Sequence, residues 1–219
     1  MLIVVVVLLA VTAAQERALV AEARTGVFAQ AALAQYVRDI VTQENYARFG
    51  FKSLADARSA RVGTPLHVFE IDLRSLKAYR SGAGVKSMLR DAEVLWFPVT
   101  VAGAVITKVE IVGKDNRLIA GEFGGMRSAQ ATAAANSDFA VRLEERGIAR
   151  AAGFAPALVR VPALGVTLLY AETSGGEFLL PAETNPERFG LNTGKVYAAA
   201  EVLSALATAA QQVDEKKIK

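Results

Sequence analysis

Apolar and polar positions alternate most clearly between Val94 and Phe123. One apolar run ends at Val101, a second follows Ala102-Gly103 and reaches Val112, and a third follows Gly113-Lys114-Asp115-Asn116 and ends at Phe123. Three β-rich runs separated by short turn-forming pieces predict an antiparallel meander. Strand side chains alternate between faces, so Leu95, Phe97, Val99 and Val101 share one face of the first strand. Val105, Thr107, Val109 and Ile111 share one face of the second. Lys108 and Glu110 then point the other way, which predicts a half-buried strand. Trp96 falls on the outward side beside Lys108. Pro98 has no N–H to give a neighbour and predicts a sheet edge or a bulge.

Elsewhere the apolar spacing turns helical. Phe28, Ala31, Ala32, Leu33, Val37, Ile40 and Val41 recur at three- and four-residue intervals and predict a helix over 15–45, weakened at Gly26. Ser53 is placed to cap a short helix over 53–58, and Asp72 to cap another over 73–79. Gly63-Thr64-Pro65 breaks the chain before a strand at 66–71. After Gly124-Gly125 an Ala-rich stretch predicts a helix over 126–150, restarting at Ser137-Asp138, with Phe139 and Leu143 on its apolar side. Strands follow at 158–161, 166–171 and 177–180. Asn192 or Thr193 caps a last helix with the stripe Val196, Ala199, Ala200, Leu203, Ala207 and Ala210.

This order predicts an α+β fold. Its mainly antiparallel sheet is built from two three-stranded groups, covered by a long N-terminal, a central and a C-terminal helix. No linker interrupts it, so residues 15–219 read as one domain with possible halves 15–125 and 126–212.

Residues 1–14 are apolar except for Thr12. The run is shorter than the ~20 residues needed to cross a bilayer. It has the size of a signal-peptide core, and Thr12-Ala13-Ala14 forms a small-residue cleavage pattern before Gln15. No Lys or Arg precedes it, so a weak anchor or a buried helical turn are the alternatives. The expectation is a periplasmic or secreted protein without a stable transmembrane span. The chain has 219 residues, 53% of them hydrophobic, and a net charge of +3. Its cations are scattered rather than clustered with aromatics, which argues against nucleic acid. With no cysteine, disulfides, thiolate metal sites, a cysteine nucleophile and a lipidated cysteine are excluded.

Candidate chemistry is sparse. His67 is the single histidine. It sits mid-strand without an acidic residue at ligand spacing, so a structural or surface role is preferred to catalysis. Gly82-Ala83-Gly84-Val85-Lys86-Ser87 begins like a dinucleotide loop but follows a helix and lacks the third glycine. Residues 190–196, Gly-Leu-Asn-Thr-Gly-Lys-Val, fall one residue short of a phosphate-binding loop. Both read as turns. The N–H groups at Gly124 and Gly125 could receive an anion at a helix start, although a tight turn is the plainer account. The acidic residues Glu70, Asp72, Glu110, Glu122, Glu172, Glu183 and Glu187 are dispersed, whereas a glycosidase needs a facing pair. No metal site and no cofactor are predicted.

Residues 49–57 (Phe-Gly-Phe-Lys-Ser-Leu-Ala-Asp-Ala), 63–69 (Gly-Thr-Pro-Leu-His-Val-Phe) and 97–101 (Phe-Pro-Val-Thr-Val) with its hairpin resemble an uncharacterised family of exported bacterial α+β proteins. The likeness extends to the late strand group and the turn from Asn185-Pro186 to Asn192. It implies a cell-envelope setting and carries over no catalytic residue. The functional expectation is a non-catalytic envelope protein that binds a protein or peptide through a sheet face or edge, with Trp96, Lys108 and Glu110 as the candidate contact surface. A hydrolase using His67 or a carboxylate pair, and a membrane-proximal transport or assembly accessory, are the alternatives.

Overall fold

The computed structural model describes residues 13–115, 117–149 and 155–213. Residues 1–12 of the apolar segment 1–14 lie outside them, as does the charged tail at 214–219. Among the described residues no helix is long and apolar enough to cross a membrane.

The first helix, α1, spans Ala13–Asp39. It stops six residues short of the expected end because Asn45 ties the next turn together. Its amide donates to the Ile40 carbonyl, and its side-chain oxygen accepts the Thr42 N–H. A 3-10 turn at Tyr46–Phe49 leads to α2, Leu54–Ser59, capped by Ser53 as expected. β1 (Arg61–Val62) and β2 (Leu66–Glu70) precede α3, Leu73–Ala78, whose first turn gives the Ser75 N–H to Asp72. The meander is present as β3 (Arg90–Val101), β4 (Ala104–Lys114) and β5 (Arg117–Gly124). Ala102 and Gly103 both have positive φ, the backbone a two-residue hairpin requires.

The central helix α4, Met126–Glu145, is continuous through Ser137 and Asp138. Both are exposed, so their side chains do not compete with the backbone ladder, and the buried stripe of Ala129, Thr132, Ala135, Phe139 and Leu143 carries the helix past them. The second strand group is β6 (Ala157–Val161), β7 (Val166–Thr173) and β8 (Gly176–Glu183). After the short α5 (Pro186–Phe189), residues Tyr197–Ala198 pair with β8 as β9, and α6 runs Ala199–Gln211. The last helix is therefore not capped by Asn192 or Thr193. The Tyr197 hydroxyl accepts the Asn192 N–H, and Gly194 N–H donates to Pro181, which holds this stretch as a turn against β8.

The two strand groups form a single sheet in the order β5-β4-β3-β2-β6-β7-β8-β9, with β1 also paired to β3. All pairings are antiparallel except β2 with β6, which joins the halves. Pro98 thus lies in a central strand. It is tolerated because the neighbour is interrupted there: β1 and β2 are separated by Gly63-Thr64-Pro65, and Gly63 N–H bonds to the Pro98 carbonyl at 2.8 Å. A register shift between Val99 and Thr100 supplies the expected bulge.

Helices cover both faces. On one face α1 and α2 pack over Phe97, Val99, Val109 and Ile111, and α3 and α6 pack over Val159, Leu168 and Leu179. On the other face α4 touches β4 at one end of the sheet and β7 and β8 towards the other. Residues 107–111 of β4 are consequently all buried, and the half-buried reading of that strand is corrected.

Candidate functional site

The covering of the second face moves the candidate contact residues indoors. Trp96, Lys108 and Glu110 are only 2, 4 and 6% exposed. Trp96 packs with Val68, Phe139 and Leu143 beneath α4. These three residues form no outer surface, contrary to expectation, because the strand's charged side meets a helix instead of water.

Lys108 and Glu110 persist there by forming a cluster. Buried ions are stable only when paired and hydrogen-bonded. Lys108 Nζ lies 2.5 Å from Glu110 Oε1 and 2.7 Å from Glu122 Oε2. Arg160 on β6 forks onto both Glu110 oxygens. Three strand spacings of about 4.8 Å would separate β4 from β6 by roughly 14 Å on a flat sheet. The two long side chains bridge the intervening strands β3 and β2 on this face. Burial acts to raise the Glu110 carboxyl, and the hydrogen bonds and charges of Arg160 and Lys108 outweigh it, leaving its pKa below the ordinary value. Glu110 is therefore an ionised structural partner, the reverse of a general acid, which needs a raised pKa.

Gly124 and Gly125 stand at the start of α4 with positive φ, the strand-to-helix turn expected of them. The protein's own carboxylates already gather there. Glu122 is held by Lys108, and Glu183 accepts the hydroxyl of Ser128 in the first turn at 2.8 Å. An external anion at this helix end would compete with both.

His67 is exposed on β2 opposite Leu95, and its imidazole makes no hydrogen bond or ion pair among the described residues. Glu70 pairs with Arg90, and Glu172 with Lys86. The Gly84–Ser87 turn gives its Val85 and Lys86 N–H groups to Glu177, whose other contact is the Tyr170 hydroxyl. Burial, then the bond to Glu177, pushes the Tyr170 phenol well above its usual range. Among the described residues no group of three or more His, Asp or Glu is arranged to hold a metal ion.

Three open features stand out among the described residues. A groove of about 340 Å³ between α1 and α2 has Leu33, Val37, Val41 and Leu54 along its floor. A cleft of about 320 Å³ lies between the end of α4 and the Thr193-Gly194-Lys195 loop. The third is the outer edge of β5, where Leu118 and Ile119 are 38 and 46% exposed. A cleft of about 310 Å³ lined by Glu93, Gly113, Lys114, Asp115, Arg117 and Leu118 opens at its first residues. Sequence reasoning found β5 but not that it is terminal, since strand order depends on the distant pairing of β2 with β6.

Comparison of the chain with protein-family models, with curated proteins and with solved structures finds no match.

Proposed function

We propose that the protein is a non-catalytic binding module of the cell envelope that takes an extended segment of a partner polypeptide along the edge of β5. The observation that carries this reading is the open edge itself. β5 ends the sheet, runs for eight residues, and exposes Leu118 and Ile119 on alternate faces. Soluble proteins usually blunt such edges with proline, lysine, short strands or bulges, because unpaired N–H and C=O groups recruit another strand. β9, the strand at the opposite end, has two residues; β5 has neither proline nor lysine, and its bulge at Gly121 and Glu122, where the Tyr36 hydroxyl of α1 caps the Gly121 carbonyl, confines the open edge to Arg117–Ala120. Strand addition draws affinity from main-chain bonds and specificity from alternate side chains. Here Leu118 and Ile119 would meet apolar residues of the incoming strand, and the cleft beside Leu118 would take one side chain. Helices cover most of both sheet faces, with His67 on β2 an exposed exception, and the edge of β5 is the longer stretch of sheet left for a partner. The envelope setting is supported by the apolar segment at residues 1–14 alone.

The test is selection of short random peptides against the folded chain, followed by titration against Ile119→Lys. Peptides with alternating apolar positions are expected, and Ile119→Lys should weaken them by roughly tenfold or more, the equivalent of about 1.4 kcal/mol. Selected peptides indifferent to Ile119→Lys would refute the edge.

A further inference from the structure

We infer that the groove between α1 and α2 binds a fatty-acid carboxylate, with the acyl chain along its apolar floor and the head at its basic rim, a site separate from the β5 edge. The groove exists because one polar side chain ties its walls at a single level. Gln30 on α1 donates its amide N–H to the Ala60 carbonyl at 3.3 Å and accepts the Val62 N–H at 3.0 Å. One turn further along α1 stands Ala34, and α2 offers Ala57. Each lines the groove with a methyl group alone, so the two helices do not interlock there. About 340 Å³ stays open over Leu33, Val37, Val41 and Leu54. Val37 and Leu54 are only partly buried, and covering them with an acyl chain removes apolar surface from water.

The rim carries one sign of charge. Arg38 of α1 stands on one wall, and Arg58 and Arg61 stand on the α2 side; none of the lining residues is acidic. Cations near the end of a helix complement its dipole, which accounts for Arg38 and Arg58. It does not account for Arg61, which lies in β1. One Arg61 nitrogen is held by the Ser59 and Ala60 carbonyls at 3.2 and 2.9 Å. The Arg58 guanidinium makes no ion pair or hydrogen bond among the described residues. Arg38 does pair with Asp39 at 2.7 Å, but both side chains are exposed, and a pair of that kind is worth little and is readily exchanged.

An apolar floor between arginine-bearing walls is complementary to a molecule that is apolar along its length and anionic at one end. A single guanidinium fork suffices for a carboxylate, whose two oxygens match its geometry. Because arginines stand on both walls, the head meets a cation on either side without all three converging on one point. The volume sits at the small end of ligand sites, roughly 300–1,000 Å³. That favours one acyl chain over a two-chain lipid or a partner helix.

The full chain should be titrated with hexanoate, octanoate and decanoate, each below its micelle concentration and at constant ionic strength, with amide chemical shifts as the readout. Saturable shifts at residues 30–41 and 54–61, with β5 unmoved, are expected. Affinity should rise by roughly three- to fourfold for each added methylene until the groove is full. Decyltrimethylammonium, with the same chain and the opposite charge, should bind more weakly by roughly tenfold or more. Arg58→Glu, which puts an anion on the rim, and Ala34→Leu, which fills the groove, should each raise the decanoate dissociation constant by roughly tenfold. Arg142→Glu, on α4 across the sheet, leaves it unchanged. Arg58 and Ala34 are exposed, so both variants keep the fold. Equal binding of the two amphiphiles, no dependence on chain length, or full affinity in Arg58→Glu would overturn the proposal. So would shifts at 30–41 and 54–61 that follow protein concentration while decanoate adds none, because a second copy of the chain then covers the groove.

Discussion

Lys108 and Glu110 stand two residues apart on β4 and pair on the same side of the sheet, with side chains only 5 and 8% exposed. A charged pair so enclosed does little for net stability compared with an apolar pair of the same shape, but removing one partner strands the other. Among the described residues, Lys108→Ala leaves Glu110 with Arg160 alone and Glu122 with no cation. Urea denaturation should show a loss of about 3–5 kcal/mol. Lys86→Ala, which breaks a solvent-exposed pair with Glu172, should cost about 0.5 kcal/mol or less. Equal small losses would mean that the cluster is solvated.

The same cluster sets a pH response. Glu110's pKa is lowered in the folded chain by Arg160 and Lys108, against the opposing effect of burial. A carboxylate with a lowered folded pKa contributes stability that is complete above its unfolded pKa, about 4.3. That contribution is lost as pH falls through the folded value. The denaturation midpoint should therefore drop below about pH 4.3, and the acid limb should be shallower in Glu110→Gln. Identical acid limbs in the two proteins would remove Glu110 from the account.

Trp96 and Phe97 point to opposite faces, and helices cover both. They are 2 and 1% exposed. Trp96→Ala and Phe97→Ala should each cost about 3–5 kcal/mol through lost transfer energy and the cavity left behind. A small loss at Trp96 alone would mean that α4 does not seat on that face.

Local chemistry was legible in the sequence and long-range pairing was not. Ser53 and Asp72 cap the helices expected of them, Ala102-Gly103 makes the expected hairpin, and Phe97, Val109 and Ile111 share the expected buried face. Each rests on spacing within a few residues. Lys108 and Glu110 misled because alternating charge normally marks a solvated face, and their partner Arg160 lies 50 residues beyond Glu110. β1 and β9, two residues each, carry no periodicity to detect. The joining of the strand groups through β2 and β6, which leaves β5 at the edge, follows from how the two halves pair.

Gly50 shows where backbone freedom is needed. It ends the 3-10 turn with φ near +88°, and a Cβ there would lie 2.8 Å from Met126 Sδ and 2.9 Å from Ile106 Cγ2. Gly50→Ala should lose about 1–3 kcal/mol from backbone strain and crowding, whereas Gly26→Ala, with open space around it in α1, should be neutral or slightly stabilising. Thermal denaturation of the two variants gives the comparison.

Amide hydrogen exchange on β5 tests the central claim most directly. Free, the N–H groups of Arg117–Ala120 that do not face β4 should exchange fast. With a selected peptide bound they should slow by roughly tenfold or more, and Ile119→Lys should abolish the slowing without changing the denaturation midpoint. If a bound peptide instead slows exchange along α1 and α2 and leaves β5 unchanged, the partner sits in the helical groove and the sheet-edge account is wrong.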